Sequence, residues 1–207
     1  MATPPLYILF AGVNGAGKST LFRSGLWCSS GLERDLPRVN PDEIIAENGW
    51  DWREESAQLK AGRLAVERLR GLLEAGASFN QETTLTDKTV MRNIERARQA
   101  GYHIALFYIG VDDPSIASER VARRVESGGH FIPADVVTRR YDASLDNLVR
   151  AIPLCDEVYL YDNTRLLELE ARFAHGELLY CGVPALEHPW LKRTLGALGY
   201  VEVSLAK

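Results

Sequence analysis

The chain has 207 residues, 46% of them hydrophobic and 25% charged, a balance that suits one globular domain over residues 1–207 with a substantial core. A formal net charge of −4 argues against a nucleic-acid partner, because gripping phosphate backbones leaves a basic surface. Cys28, Cys155 and Cys181 are widely spaced with no C-x-x-C pair, which disfavours a disulfide framework or zinc site and points to a reducing cytoplasm.

Taken in chain order, Met1-Ala-Thr-Pro-Pro5 lacks a basic leader region, so neither a signal peptide nor a membrane span is expected. Leu6–Ala11 is a continuous apolar run, the pattern of a parallel strand buried on both faces. Gly12-Val-Asn-Gly-Ala-Gly-Lys18-Ser19 follows at once and satisfies G-x-x-x-x-G-K-[ST], with a helix expected from Lys18 to about Trp27. Arg38-Val39-Asn40 reads as a short strand running into a helix start, with Asn40 as N-cap and Pro41 in the first turn. Ser56–Ala75 reads as a long helix with Leu59, Leu64, Leu69 and Leu73 near helical spacing, closed by Gly76. A short strand over Ser78–Gln81, a helix over Thr86–Ala100 and a buried strand over Tyr102–Gly110 come next. Asp113-Pro114 opens a helix to Glu126, Gly128-Gly129-His130-Phe-Ile-Pro133 breaks the chain, and Asp135–Ala151 resumes as helix. Glu157–Tyr161 is a further strand, Arg165–Ala174 and Glu177–Cys181 form a hairpin turning at His175-Gly176, and a last helix covers about Glu187–Leu198. Strands alternating with helices predict an α/β fold with a mostly parallel sheet, whose ligands bind at the carboxyl ends of the strands.

The glycine-rich segment carries the firmest chemistry. Phosphate oxygens need many short donors in a concave array, and glycines at 12, 15 and 17 let successive N–H groups turn inward. Gly12, Val13, Asn14, Gly15, Ala16, Gly17, Lys18, Ser19 and Thr20 are therefore candidate nucleotide-binding residues. In such a site Lys18 reaches the β- and γ-phosphates, the Ser19 hydroxyl holds Mg²⁺, and the helix dipole favours the anion. Asp42 lies just past the second strand, where phosphoryl transfer needs a carboxylate to take the acceptor's proton; it also suits a first-turn acid that merely complements the helix dipole. Glu82-Thr83 offers a second carboxylate, for substrate hydroxyls or a water on Mg²⁺, or else a loop acid near the next helix. Arg120, Arg123 and Arg124, with Arg139 and Arg140 on the next helix, could close over a triphosphate as a lid, or pair with Glu119, Glu126 and Asp142 on a solvated face. His130 beside the glycine break is a lid candidate, while His103, Trp50, Trp52 and Trp190 read as packing residues.

Together these segments resemble the zeta-toxin-like kinases. The resemblance rests on Gly12–Thr20, Val39-Asn-Pro-Asp42, Glu82-Thr83, Arg120-Val-Ala-Arg-Arg124, Gly128-Gly-His-Phe-Ile-Pro133, Arg139-Arg-Tyr141, Ser144-Leu145, Asn147-Leu148 and Tyr161-Asp-Asn163. It covers roughly residues 6–165. It implies a three-layer P-loop kinase fold with an adenylate-kinase-like core, a helical lid at about 114–151 and a C-terminal hairpin-plus-helix extension at about 165–207. The implied activity is transfer of the ATP γ-phosphate to a hydroxyl of UDP-N-acetylglucosamine or a related nucleotide sugar, with an antitoxin protein as restraining partner. By the same resemblance Lys18 and Ser19 serve ATP and Mg²⁺, Asp42 is the catalytic base, and Glu82 with Thr83 lies on the substrate side. Arg120 and Arg124 stabilise phosphate charge, and Asn163 meets the adenine edge. The chain departs from the better-known toxins, which carry Asp-x-Phe-Arg at the base: Asp42 is followed by Glu43-Ile44-Ile45.

A rival reading is an ABC-type ATPase driving a partner protein, suggested by Asn14-Gly-Ala-Gly17, by Glu126-Ser-Gly-Gly129 as a signature and by Leu154-Cys-Asp-Glu157 as a Walker B strand. Pro133 interrupts the helix that must follow the signature, and Pro153 does not suit a central parallel strand. A GTPase is disfavoured, since D-x-x-G after a strand and N-K-x-D are both missing.

Overall fold

The computed structural model describes residues 3–30, 35–126, 132–182 and 187–200. His130 and the Gly128-Gly129 break lie outside the described residues. Seven strands form one sheet: β1 (Leu6–Ala11), β2 (Arg38–Val39), β3 (Phe79–Thr83), β4 (His103–Gly110), β5 (Glu157–Asp162), β6 (Glu168–Ala174) and β7 (Glu177–Cys181). Their spatial order is β2-β3-β1-β4-β5-β6-β7, with β2 to β5 and β1 mutually parallel and β6 and β7 antiparallel at one edge. The expected C-terminal hairpin thus continues the main sheet.

Every residue of β1 from Tyr7 to Ala11 is fully buried, because helices cover both faces. Tyr7, Leu9 and Ala11 face a core shared with α2 (Pro41–Glu47), α3 (Glu55–Glu74), α4 (Lys88–Gln99), α6 (Ala134–Ala151) and α7 (Pro189–Ala197). Ile8 and Phe10 point the other way, into a core with α1 (Lys18–Ser24) and α5 (Pro114–Glu126). The result is the three-layer α/β arrangement of a P-loop kinase fold.

Three local differences from the sequence expectation have physical causes. The first helix stops at Ser24, not Trp27, since Gly25 takes a left-handed φ of 72° and a 3₁₀ turn over Leu26–Ser30 follows. β3 runs on to Thr83 because Phe10 and Ala11 pair with Glu82 and Thr83, so both candidate residues end the strand and do not follow it. In α3 the buried line is Ala57, Ala61, Ala65 and Leu69, whereas Leu59 is 58% exposed. Spacing of four keeps those four on one face, and small side chains let α3 approach α2 closely. Leu154-Cys-Asp-Glu157 is not a Walker B strand: Ile152–Leu154 is a 3₁₀ turn, β5 only begins at Glu157, and Asp156 accepts from Ile104 N at 2.8 Å at the amino end of β4, away from the glycine loop.

Candidate active site

The loop between β1 and α1 is shaped by its glycines and held from both sides. Gly12 has φ 136°, and a Cβ there would lie 2.3 Å from the Ile109 carbonyl oxygen of β4. Gly17 has φ 112°, with Asn163 pressed against it; the Asn163 amide donates to the Ala16 carbonyl at 2.7 Å. Both positions therefore require glycine. Asn163, assigned to the adenine edge by resemblance, here braces the loop, and its own N–H is tied to Gly110 O at 2.9 Å.

Lys18 is 8% exposed, and its ammonium donates to the Val13 carbonyl at 3.1 Å, wrapped inside the loop it serves. Burial holds its pKa below the ordinary lysine value; Glu82 and Asp42 push it back up, and Arg124 and Arg140 push it down. Ser19 Oγ lies 3.0 and 3.1 Å from the two carboxylate oxygens of Glu82. A hydroxyl beside a carboxylate is a hard-oxygen donor set that fits Mg²⁺. Glu82 is itself gripped by Arg38 at 2.6 Å and by the Asn40 amide at 3.3 Å. Arg38 also bonds Glu43 and Asn80, each at 2.8 Å, and lies 3.6 Å over the Phe22 ring. Its guanidinium thus fixes Glu82 from the adjacent strand.

Asp42 stands in the first turn of α2, where the Asn40 side chain accepts from its backbone N–H at 3.0 Å. Its carboxylate is exposed and accepts no hydrogen bond among the described residues. It lines a cavity of about 330 Å³ together with Asn14, Lys18, Glu82 and Thr83. The far walls are Gly62, Ala65, Val66 and Leu69 of α3, and Thr89, Val90 and Asn93 of α4. Topology explains the gathering: β1, β3 and β2 are neighbours, so the segments leaving their carboxyl ends meet. Asp87 caps α4 by accepting from Thr89 N and Val90 N.

The arginines divide. Arg140 donates to the Asn14 side chain at 2.8 Å, and burial followed by the charge of Arg139 lowers its pKa. Arg120 donates through Nη2 to Thr164 O at 3.1 Å, while its Nη1 is buried with no partner among the described residues. Arg124 is exposed, yet its charge is felt at Lys18. Arg123 and Arg139 pair within their own helices with Glu119 and Asp135, and Asp142 pairs with Arg193. Thr20 is exposed on α1.

Two site residues escaped the sequence reading as functional positions. Arg38 sits in a strand of two residues, directly before the Val39-Asn-Pro-Asp42 segment but outside it. Asn93 is 8% exposed in the middle of α4, lines the cavity, and its amide makes no hydrogen bond among the described residues. A polar residue on the inner stripe of an amphipathic helix is the one signal that could have marked it.

The fold and this loop define a P-loop protein of the kinase type. The family model described as Zeta toxin matches residues 2–167, and the chain belongs to that family. A protein of Haemophilus influenzae, described as "Uncharacterized protein", is 33% identical over 135 residues, covering 65% of this chain and 91% of its own length. Among solved structures, that of the PezAT chromosomal toxin-antitoxin system of Streptococcus pneumoniae aligns with TM-score 0.61 and 16% identity, over 100% of this chain and 89% of that one. The AvrRxo1-ORF1:-ORF2 structure with ATP gives TM-score 0.64 and 20% identity, covering 91% of this chain. This chain spans only 64% of that longer one. At these identities the two structures establish the shared fold.

Proposed function

We propose that the protein is an ATP-dependent kinase that moves the γ-phosphate to a hydroxyl of a small molecule, a nucleotide sugar such as UDP-N-acetylglucosamine. One observation carries the reading: the Asp42 carboxylate, which accepts no hydrogen bond among the described residues, and the phosphate-loop Lys18 line the same cavity of about 330 Å³. The acceptor's hydroxyl hydrogen passes to Asp42 as its oxygen bonds the γ-phosphorus, and the bond to the β-phosphate oxygen breaks to release ADP. Lys18 leaves the Val13 carbonyl for the phosphate oxygens, where an anion favours its charged form over the buried, unpaired one. Arg120, whose buried Nη1 has no partner among the described residues, and Arg124 would supply further positive charge as α5 and α6 close over the phosphates. Ser19 would hold Mg²⁺, with Glu82 orienting a metal-bound water; the ion would neutralise phosphate charge. Within the family, an antitoxin protein is the expected regulatory partner.

Incubating the protein with γ-labelled ATP, Mg²⁺ and a pool of nucleotide sugars tests the reading. Label on a sugar supports it. Label only as inorganic phosphate, stimulated by a protein partner, supports an ABC-type ATPase instead. Asp42→Asn should lower transfer by about a hundredfold or more while ATP affinity holds. Equal rates in variant and parent would remove Asp42 from the mechanism.

A further inference from the structure

The turn from β3 to α4 forms one wall of the cavity, and it is held in an unusual shape. Thr83, Thr84, Asp87 and Thr89 all line the cavity. Between them Leu85 has φ 58°, in the left-handed region that a leucine avoids, with its side chain fully buried. Such a backbone costs on the order of 1–2 kcal/mol and persists only where surroundings over-determine it. Those surroundings come from α6. Ser144 Oγ donates to Thr84 O at 2.8 Å, and the Asn147 amide donates to Leu85 O at 2.9 Å. Tyr108 lies 3.1 Å from Ser144 Oγ; since Ser144 gives its hydrogen to Thr84, Tyr108 is the donor of this pair. Burial keeps the Tyr108 phenol well above its ordinary range, so that donor is retained at any working pH.

The same helix also reaches the nucleotide side. Arg140, Ser144 and Asn147 recur at steps of four and three, which places them on one face. That face holds Asn14 of the phosphate loop at its start and the Thr84-Leu85 carbonyls one to two turns later.

We infer that Asn147 is a positioning residue for the acceptor: without touching acceptor or nucleotide, it holds the Leu85 backbone so that the Thr83–Thr84 wall faces Asp42. The inference rests on the kinase reading above. Breaking this bond releases the acceptor wall and leaves the phosphate loop, which has its own anchors at Ala16 and Asn14, in place.

Asn147→Asp keeps the side chain's shape and removes the N–H that Leu85 needs; Asn147→Ala removes the whole group and controls for the new charge. With UDP-N-acetylglucosamine and labelled ATP, both variants should raise the acceptor KM by about tenfold. The KM for ATP, and hydrolysis of ATP to water, should stay within about twofold. Amide hydrogen exchange across residues 83–87 should rise by about tenfold or more, with residues 15–19 unchanged. Unaltered exchange in 83–87 would overturn the inference whether or not this sugar is the acceptor, and so would an ATP KM rising in parallel with the acceptor KM. Faster exchange in the variants, with the parent protein transferring no label to any sugar, would sink the kinase reading and leave Asn147's hold on Leu85 standing.

Discussion

The phosphate loop and the cavity beside it share Lys18 and Asn14, yet they are made of different material. The loop is one run of sequence, and what it offers a ligand is mostly backbone: curled N–H groups, a helix dipole and glycines where a side chain would strike Ile109 or Asn163. Beyond those two residues the cavity is assembled from β3, α2, α3, α4 and the turns beside them, and it offers side chains that reach one another only through the sheet order. Backbone recognition accepts any nucleotide with the right phosphates. On the proposed reading, side-chain recognition would decide which alcohol is phosphorylated, so divergence within the family should gather in the second region.

Lys18→Ala should show the largest effect on the shared boundary. On the proposed reading, removing the ammonium takes away a cation that would meet the γ-phosphate, and transfer should fall by about two to three orders of magnitude in kcat. Stability should hold or rise in the absence of nucleotide, since a buried cation bonded to a single carbonyl is removed. Single-turnover transfer with thermal unfolding on the same variant checks both; a drop in transfer matched by unfolding would show that Lys18 is structural. Arg38→Ala breaks the cavity side instead. Arg38 and Glu82 have side chains 10% exposed each, so the variant takes the only ion-pair partner among the described residues from a largely buried carboxylate and leaves it Ser19 and Asn40. It should lose about 2–3 kcal/mol in denaturant unfolding, less than a fully stranded charge would cost. Arg38→Ala with Glu82→Gln should recover part of that stability without restoring Mg²⁺-dependent transfer.

The contrast also sets what the amino-acid string could disclose. The loop was legible because its spacing is its mechanism, and β1, β4 and β5 were legible because strands buried on both faces must be apolar throughout. Asn40 and Asp87 cap the helices that their residue types announce. The cavity was not legible to the same degree. Arg38 finds Glu82 44 positions later, and nothing local to either residue states the pairing. In α3 the leucines suggest a buried face, but the helix turns Leu59 outward and packs its alanines, because proximity to α2 rewards small side chains over apolar area. Glu82 was found by position, while its contact with Ser19 depends on the pairing of β1 with β3 over five residues.

Asn93 gives the finest test of the divide. Among the described residues its amide has no protein partner, although the residue is only 8% exposed, and it opens into the cavity between Val66 of α3 and Thr89 of α4. The amide is not among the fully buried unpartnered groups, so the solvent of the cavity reaches it, and a polar group on a ligand would take the place of that water. An amide gives and accepts one hydrogen bond each to a vicinal diol or an acetamido group, while the apolar α3 wall covers the face of a ring. Asn93→Ala should therefore raise the acceptor KM by about tenfold and leave ATP affinity unchanged. Because the amide faces the cavity and makes no hydrogen bond to the described residues, stability should change by less than about 1 kcal/mol. Acceptor analogues lacking one polar substituent at a time turn this into an assignment: the analogue that binds parent and variant equally well has lost the group Asn93 reads. If every analogue loses the same factor on passing from parent to variant, Asn93 shapes the cavity and reads no single group.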